Sequence, residues 1–119
     1  LLAKETTMQQ PESRQIFVKS EYKMVQVDVD SILYIESRGE YLRIYTQTGH
    51  PVMTLGNMRS IEEKLPSMEF MRVHRSYIVN LKKITAVERN NIIMGENVRI
   101  PVGEQYKDEF KAYLNRLVF

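Results

Sequence analysis

Alternation of apolar and polar residues runs through the first half of the chain and predicts a series of short β-strands. In segment 22–29, Val27 and Val29 alternate with Gln26 and Asp28, as they would on a strand with one buried face. Similar patterns occur in segments 16–20, 31–38, 41–47 and 51–55. These short strands, separated by turn residues, indicate an antiparallel meander.

The details of this pattern predict which strand residues face the core. Within 31–38, Leu33 and Ile35 alternate with Ile32, Tyr34 and Glu36. The pattern therefore predicts that Leu33 and Ile35 share one face of the strand. Turn-forming residues at 38–40 and 48–51 separate this strand from the next two.

The apolar period then changes and predicts a short helix over 55–65. The residues of its apolar stripe are Leu55, Met58, Ile61 and Leu65. Thr54 is a suitable N-cap, and Pro66 would end the helix.

Strand-like composition returns after residue 70. Close turns are expected at Asn90-Asn91 and at 95–97. A second helix is expected at the C-terminus, with an apolar face formed by Tyr106, Phe110, Leu114 and Leu117. No alternation of strands and helices is present, so the pattern predicts a mostly β domain and not a parallel doubly wound sheet.

The composition fits one small folded domain. The chain has 119 residues, of which 43% are hydrophobic, and it contains no cysteine. No apolar run approaches the roughly 18 residues of a membrane-spanning helix, so we expect a cytoplasmic protein without a membrane partner. Residues 1–15 are polar, contain Pro11 and show no period, which predicts a linker before a domain at 16–119. The missing initiator Met indicates a fragment of a longer chain.

Positive charge is concentrated in the second half of the domain. Net charge is only +2, but residues 70–99 contain six Lys or Arg and only two Glu. A local excess of this kind is what a phosphate-binding surface requires, and a solvated surface of mixed charge is the alternative.

Candidate catalytic and metal-binding groups are few. His50 lies in a turn and His74 lies among arginines, and no third residue has the spacing of a metal ligand. Ser76 is two residues from His74, and a small hydrolase that uses these two residues is the third hypothesis. Strand alternation alone produces such neighbours, so we predict that the chain is not an enzyme and has no metal site or cofactor.

The basic segment is better suited to nucleic acid. Arg72 and Arg75 could donate to phosphate or guanine, and Lys82 and Lys83 offer point charges for phosphates. Arg72 could instead pair with a carboxylate such as Glu69. The asparagines that could contact adenine or phosphate are Asn80, Asn90 and Asn91. The helix at 55–65 has balanced charge, so loops between strands would have to read the DNA.

Four blocks of the sequence, in order, resemble the LytTR family of DNA-binding domains from bacterial two-component response regulators. The blocks are ILYIESRGEYLRIYTQTG, GNMRSIEEKLP, FMRVHRSYIVNLKKI and IPVG. The resemblance extends from Ile16 to Phe119. It implies an elongated, antiparallel fold of short strands and small sheets, with one short central helix and a C-terminal helix. It also implies transcription regulation through sequence-specific binding of double-stranded DNA, in which loops enter successive major grooves.

The resemblance implies three contact regions and a set of phosphate anchors. The first region is the loop Ser37, Arg38, Gly39 and Glu40. The second region is His74, Arg75 and Ser76, followed by the anchors Asn80, Lys82 and Lys83. The third region is the turn Gly103, Glu104 and Gln105. Many family members have a basic residue in that third turn, and Gln105 or Lys107 would have to replace it here.

The resemblance also implies partners beyond the chain itself. These are an N-terminal receiver domain in the full-length protein, a sensor histidine kinase that acts on the receiver, and direct DNA repeats bound by a dimer. Since the receivers would supply the pairing, the fragment alone is expected to be monomeric. The alternative function is a protein-interaction or ligand-sensing β module that has lost DNA binding. The low net charge and the acidic Glu104 motivate this alternative.

Overall fold

The computed structural model describes residues 14–119 and consists mainly of short strands. The strands are β1 Gln15–Ser20, β2 Lys23–Asp28, β3 Ile32–Arg38, β4 Tyr41–Thr46, β5 Val52–Leu55, β6 Phe70–His74, β7 Tyr77–Asn80, β8 Ile84–Glu88, β9 Asn91–Met94 and β10 Val98–Pro101. The α-helices are α1 Met58–Glu62 and α2 Lys107–Asn115. Short 3-10 turns occupy Val29–Ser31, Leu81–Lys83 and Glu104–Tyr106.

Every strand pair is antiparallel, and the strands form three sheets. A central five-stranded sheet has the order β5-β4-β3-β7-β6. The other two are a β1-β2 hairpin and a three-stranded sheet of order β10-β9-β8. The molecule measures 48 × 38 × 26 Å along its principal axes. The predicted elongated, mostly antiparallel fold with one short central helix and a C-terminal helix is confirmed.

The two faces of the central sheet contribute to two different hydrophobic cores. One face packs against the β1-β2 hairpin and α1, and the other packs against β8, β9, β10 and α2. Strand β7 contributes to both cores, because Ile78 and Val79 point to opposite faces and both are fully buried. The backbone of β7 is therefore fixed from both sides.

A β-bulge in β3 overturns the predicted alternation of that strand. The register shifts between Ile32 and Tyr34, and Ile32 and Ile35 are both fully buried in the same core. Residues three apart on a regular strand face opposite sides, and the extra residue, Leu33, reverses this phase. Ile32, and not Leu33, is therefore the core partner of Ile35.

The central helix is shorter than predicted, and its cap is different. Leu55 is the last residue of β5 and is 63% exposed, and Thr54 is a buried strand residue. The N-cap is Asn57, whose side chain accepts a hydrogen bond from the Ser60 N–H at 2.9 Å. The apolar residues that pack into the core are Met58, Ile61 and Leu65.

The C-terminal segments agree with the prediction in part. Phe110 of α2 is buried as expected, whereas Leu117 lies beyond the helix and is 65% exposed. The turn between β8 and β9 is Arg89-Asn90, because Asn91 already pairs with Glu88. Arg89 has φ +58°, a left-handed conformation that is uncommon for residues other than glycine.

The described part of the chain begins with β1. Strand β1 begins at Gln15, which pairs with Asp28, and the Arg14 carbonyl accepts a hydrogen bond from Val29 N at 3.1 Å. The rest of the expected linker, residues 1–13, lies outside the described residues. Within residues 14–119 the longest α-helix has nine residues, fewer than the about 20 that a membrane crossing requires.

Candidate nucleic-acid interface

The second predicted region forms the turn of the β6-β7 hairpin. His74 pairs with Tyr77 across the two strands, and Arg75 and Ser76 form the connection between them. The buried residues Val73 and Ile78 anchor the hairpin on opposite faces of the sheet. The turn is therefore carried on a rigid support, with the Arg75 side chain exposed.

The His74 ring is held by its own turn. Its Nδ1 accepts a hydrogen bond from the Ser76 main-chain N–H at 3.0 Å, and its ring packs edge-on against Tyr77. The nitrogen nearest to Ser76 is thus occupied by the backbone and does not act as a base for the Ser76 hydroxyl. This geometry speaks against the hydrolase hypothesis. Among the described residues, no three His, Asp or Glu side chains come together as metal ligands would.

The first predicted region lies directly beside this turn. Ser37 N donates to the main-chain oxygen of Ser76 at 2.9 Å, because β3 and β7 are neighbours in the central sheet. Gly39 has φ +61°, which the tight β3-β4 loop requires and which glycine adopts without strain. The Arg38 side chain is 58% exposed, with its guanidinium 4.0 Å from the Glu36 carboxylate.

The third predicted region packs against the other side of the turn. Gly103 N donates to the Val73 carbonyl at 2.8 Å. A Cβ at position 103 would lie 3.3 Å from the Tyr106 ring and 3.5 Å from the His74 ring, so a larger residue would require the Tyr106 ring to shift by a few tenths of an ångström. Glu104 is exposed, and its carboxylate lies 2.6 Å from the Lys107 ammonium.

These contacts bring all three predicted regions together at one end of the central sheet. We call residues 37–40, 74–76 and 103–105 the loop cluster. Its exposed cations are Arg38 and Arg75, and Lys107 offsets the charge of Glu104. The sequence placed these residues in three separate segments, and main-chain hydrogen bonds from Ser37 and Gly103 join them.

Asn80 does not belong to this surface. Its predicted role as a phosphate anchor is corrected here, because the side chain is buried. Its side chain is 1% exposed. The amide nitrogen donates to the Ile32 carbonyl at 2.9 Å, and the amide oxygen accepts from Lys82 N at 3.1 Å. Asn80 therefore fixes the start of the turn that carries the two lysines, and it has no exposed group to offer to a phosphate.

The lysines that follow lie at the opposite end of β7 from the loop cluster. Lys82 is part of an ion cluster with Arg14, Asp30 and Glu69, in which its ammonium is 3.2 Å from Glu69 and 3.8 Å from Asp30. Arg14 bonds to both Glu69 oxygens, at 2.7 and 2.8 Å, and also to Asp30. Internal carboxylates thus offset the charge of Lys82. Lys83 is half-buried and forms no ion pair with another described residue.

The ion cluster shifts the protonation equilibria of its members. Hydrogen bonds from Arg14 hold the pKa of Glu69 at about 2, and Lys82 contributes in the same direction. The same bonds raise the pKa of Arg14. This cluster joins residues that are 55 positions apart in the chain, and no local pattern in the sequence indicated it.

A polar network next to the first region was also missed. The hydroxyls of Tyr45 and Tyr77 donate to Glu36 at 3.2 and 3.3 Å, and Tyr34 stacks on Tyr45. Burial raises the pKa of Tyr34 to about 12 and also raises the pKa of Tyr77. Because Tyr34 and Glu36 occupy alternate positions of one strand, strand periodicity could have revealed this shared face.

Comparisons with known proteins identify the family of this chain. The family described as "LytTr DNA-binding domain" matches residues 22–115. The chain is 31% identical to the sensory transduction protein LytT of Bacillus cereus over 108 residues, which cover 87% of the chain and 44% of LytT. It is 34% identical to the CO-responsive transcriptional regulator RcoM of Rhodospirillum rubrum, over 74% of the chain and 39% of RcoM. The chain thus spans less than half the length of these relatives.

A solved structure supports the fold. The LytTr DNA-binding domain of a Bacillus cereus response regulator superposes with a TM-score of 0.72, at 23% sequence identity. The match covers 84% of this chain and 95% of the solved domain.

Proposed function

This chain belongs to the LytTr DNA-binding domain family, and we propose that it binds double-stranded DNA sequence-specifically through the loop cluster. The observation that carries this proposal is the convergence of three loops at one end of a sheet that has a hydrophobic core on each face. A rigid sheet that presents several loops can place them in the grooves of a duplex without ordering them on binding.

Within this proposal, Arg75 reads a base. It is the exposed cation at the tip of the β6-β7 hairpin, and its support is fixed by buried residues on both faces. An arginine fork can donate two hydrogen bonds to the O6 and N7 atoms of guanine in the major groove. His74 and Ser76 flank it, and Arg38 adds a second exposed guanidinium from the first loop.

We expect the predicted phosphate anchors to contribute less to DNA affinity than the sequence suggested. Lys82 already contacts Glu69 and Asp30, so its transfer to a DNA phosphate would exchange one ion pair for another. Lys83 remains a candidate phosphate contact. The alternative, a β module that has lost DNA binding, relied partly on the charge of Glu104, and its ion pair with Lys107 weakens that motive.

The names of the relatives suggest a regulatory context. LytT is described as a sensory transduction protein and RcoM as a transcriptional regulator. We accordingly propose that the chain is the output module of a cytoplasmic transcription regulator. In that proposal a receiver domain acted on by a sensor histidine kinase controls the binding of a dimer to direct repeats.

Selection from random duplex DNA, followed by titration of the enriched sequence, tests the proposal. Arg75→Ala should lower affinity for the enriched site by roughly 1–3 kcal/mol while affecting scrambled DNA much less. Arg116→Ala is the matched control, because Arg116 is exposed, follows the C-terminal end of α2 and packs over Tyr113. If no sequence is enriched at physiological salt, or if the two variants behave alike, the proposal is wrong.

A further inference from the structure

Arg72 is an arginine of the basic segment whose side chain turns back onto its own hairpin. It lies on β6, two residues before His74, and is half-buried. Its Nη2 donates to the Arg75 carbonyl at 2.7 Å, and its Nε lies 3.4 Å from the His74 carbonyl. One guanidinium therefore holds two successive carbonyl groups of the turn that presents Arg75.

The same guanidinium also contacts the third region of the loop cluster. Its Cζ lies 6.0 Å from the centre of the Tyr106 ring, within the range of a cation–π contact. Tyr106 in turn lies against Gly103, which is hydrogen-bonded to Val73 of β6. Arg72 is thus positioned to fix the β6-β7 turn relative to the Glu104–Tyr106 turn.

From this geometry we propose that Arg72 is a positioning residue for DNA sequence readout. The inference rests on the proposed function, since it assigns to Arg72 the role of aiming Arg75. A side chain that reads a base must be held to within about 0.5 Å of its productive position. Arg72 fixes the main chain at Arg75, and it does so without being a DNA contact.

The chemistry of the contact makes arginine hard to replace. A guanidinium is a planar fork that donates to two acceptors at once and packs flat against an aromatic ring. The ammonium of a lysine is a point charge on a flexible stem. Arg72→Lys therefore keeps the charge but loses the fork, which separates a positioning role from a purely electrostatic one.

The test measures affinity for the enriched and the scrambled duplex over a range of salt concentrations. Arg72→Lys and Arg72→Ala should each lower the ratio of specific to non-specific affinity by about tenfold or more. The salt dependence of binding should stay unchanged, because no phosphate contact is lost. In the double variant with Arg75→Ala, the change at Arg72 should add little, since there is no longer a side chain to aim.

Three outcomes would overturn the inference while leaving the proposed function standing. If the slope of log affinity against log salt concentration is smaller in magnitude by about one in the Arg72 variants, Arg72 is a phosphate contact. If Arg72→Lys keeps the full ratio of specific to non-specific affinity, the role of Arg72 is one of charge alone. If the losses of the two single variants add up in the double variant, the two arginines act independently. If circular dichroism shows that Arg72→Ala does not fold, the measurements on Arg72→Lys alone test whether Arg72 positions Arg75. If Arg75→Ala itself leaves specificity intact, the proposed function fails first and the inference fails with it.

Discussion

Replacement of Asn80 by alanine separates a structural asparagine from a DNA contact. The side chain is 1% exposed and makes two hydrogen bonds, one to the Ile32 carbonyl of β3 and one from the Lys82 N–H. Alanine removes the side chain that makes both bonds and leaves the Ile32 carbonyl and the Lys82 N–H without their partner. We therefore expect Asn80→Ala to lower the stability of the domain, with an effect on DNA affinity only through the loss of folded protein.

The magnitude follows from these two bonds. The Ile32 carbonyl lies in the core, and a buried acceptor left without a partner costs about 1–3 kcal/mol. The Lys82 N–H begins a 3-10 turn, and loss of a capping side chain typically costs about 1 kcal/mol. We expect a total loss of about 2–4 kcal/mol, which is a large part of the stability of a small domain.

Urea denaturation followed by circular dichroism measures this change. Asn80→Ala should lower the midpoint with little change in slope, whereas Asn97→Ala, a control at an exposed asparagine, should change stability by less than about 0.5 kcal/mol. Asn80→Asp should also be destabilised, because a carboxylate cannot donate to the Ile32 carbonyl. A variant Asn80→Ala with normal stability and reduced DNA affinity would refute the reasoning and restore Asn80 as a contact.

Two further predictions concern helix capping and the ion cluster. Asn57→Ala should cost about 1 kcal/mol in the free energy of unfolding, because it removes the side chain that caps α1. Thr54→Val removes the Thr54 hydroxyl and keeps the shape of the side chain, so it should cost less than Asn57→Ala. A larger loss at Thr54 than at Asn57 would restore the cap predicted from sequence. The folded-state pKa of Glu69 is about 2, below its ordinary value of 4.5, so its contribution is complete above pH about 4.5 and disappears as the pH falls towards 2. After allowance for solvent screening, Glu69→Gln should be about 1 kcal/mol less stable than wild type at pH 6, and the difference should shrink through this window. If urea titrations show a stability difference between wild type and Glu69→Gln that does not vary with pH, Arg14 does not favour the ionised form of Glu69.

The sequence predicted the parts of the fold that depend on local periodicity. Alternation located most of the strands, and the isolated residue Gly39 marked a real turn. The bulge at Leu33 was not predicted, because one inserted residue leaves the local composition unchanged. It alters only which side chains of the strand face the core. The central helix was extended too far towards the N-terminus, because Leu55 continues the helical spacing although it belongs to β5.

The candidate site was predicted in its segments but not in its assembly. The three loops were assigned through family resemblance, whereas their proximity depends on the pairing of β3 with β7 and on the hydrogen bond from Gly103 to Val73. The partners of Asn80 and Lys82 inside the fold were not predicted, for one physical reason. Their partners are 48 residues away at Ile32 and 13 residues away at Glu69, and a motif does not reveal whether a polar side chain is already paired inside the fold.

Mapping of the bound surface by NMR tests directly whether the loop cluster binds DNA. Amide signals of the labelled domain would be followed during titration with the enriched duplex at physiological salt, with the scrambled duplex as control. We expect the largest specific shifts in all three parts of the loop cluster, at 37–40, 74–76 and 103–105, with Asn80 little affected. Shifts centred on the β1-β2 hairpin or on α1, with the loop cluster unchanged, would contradict it.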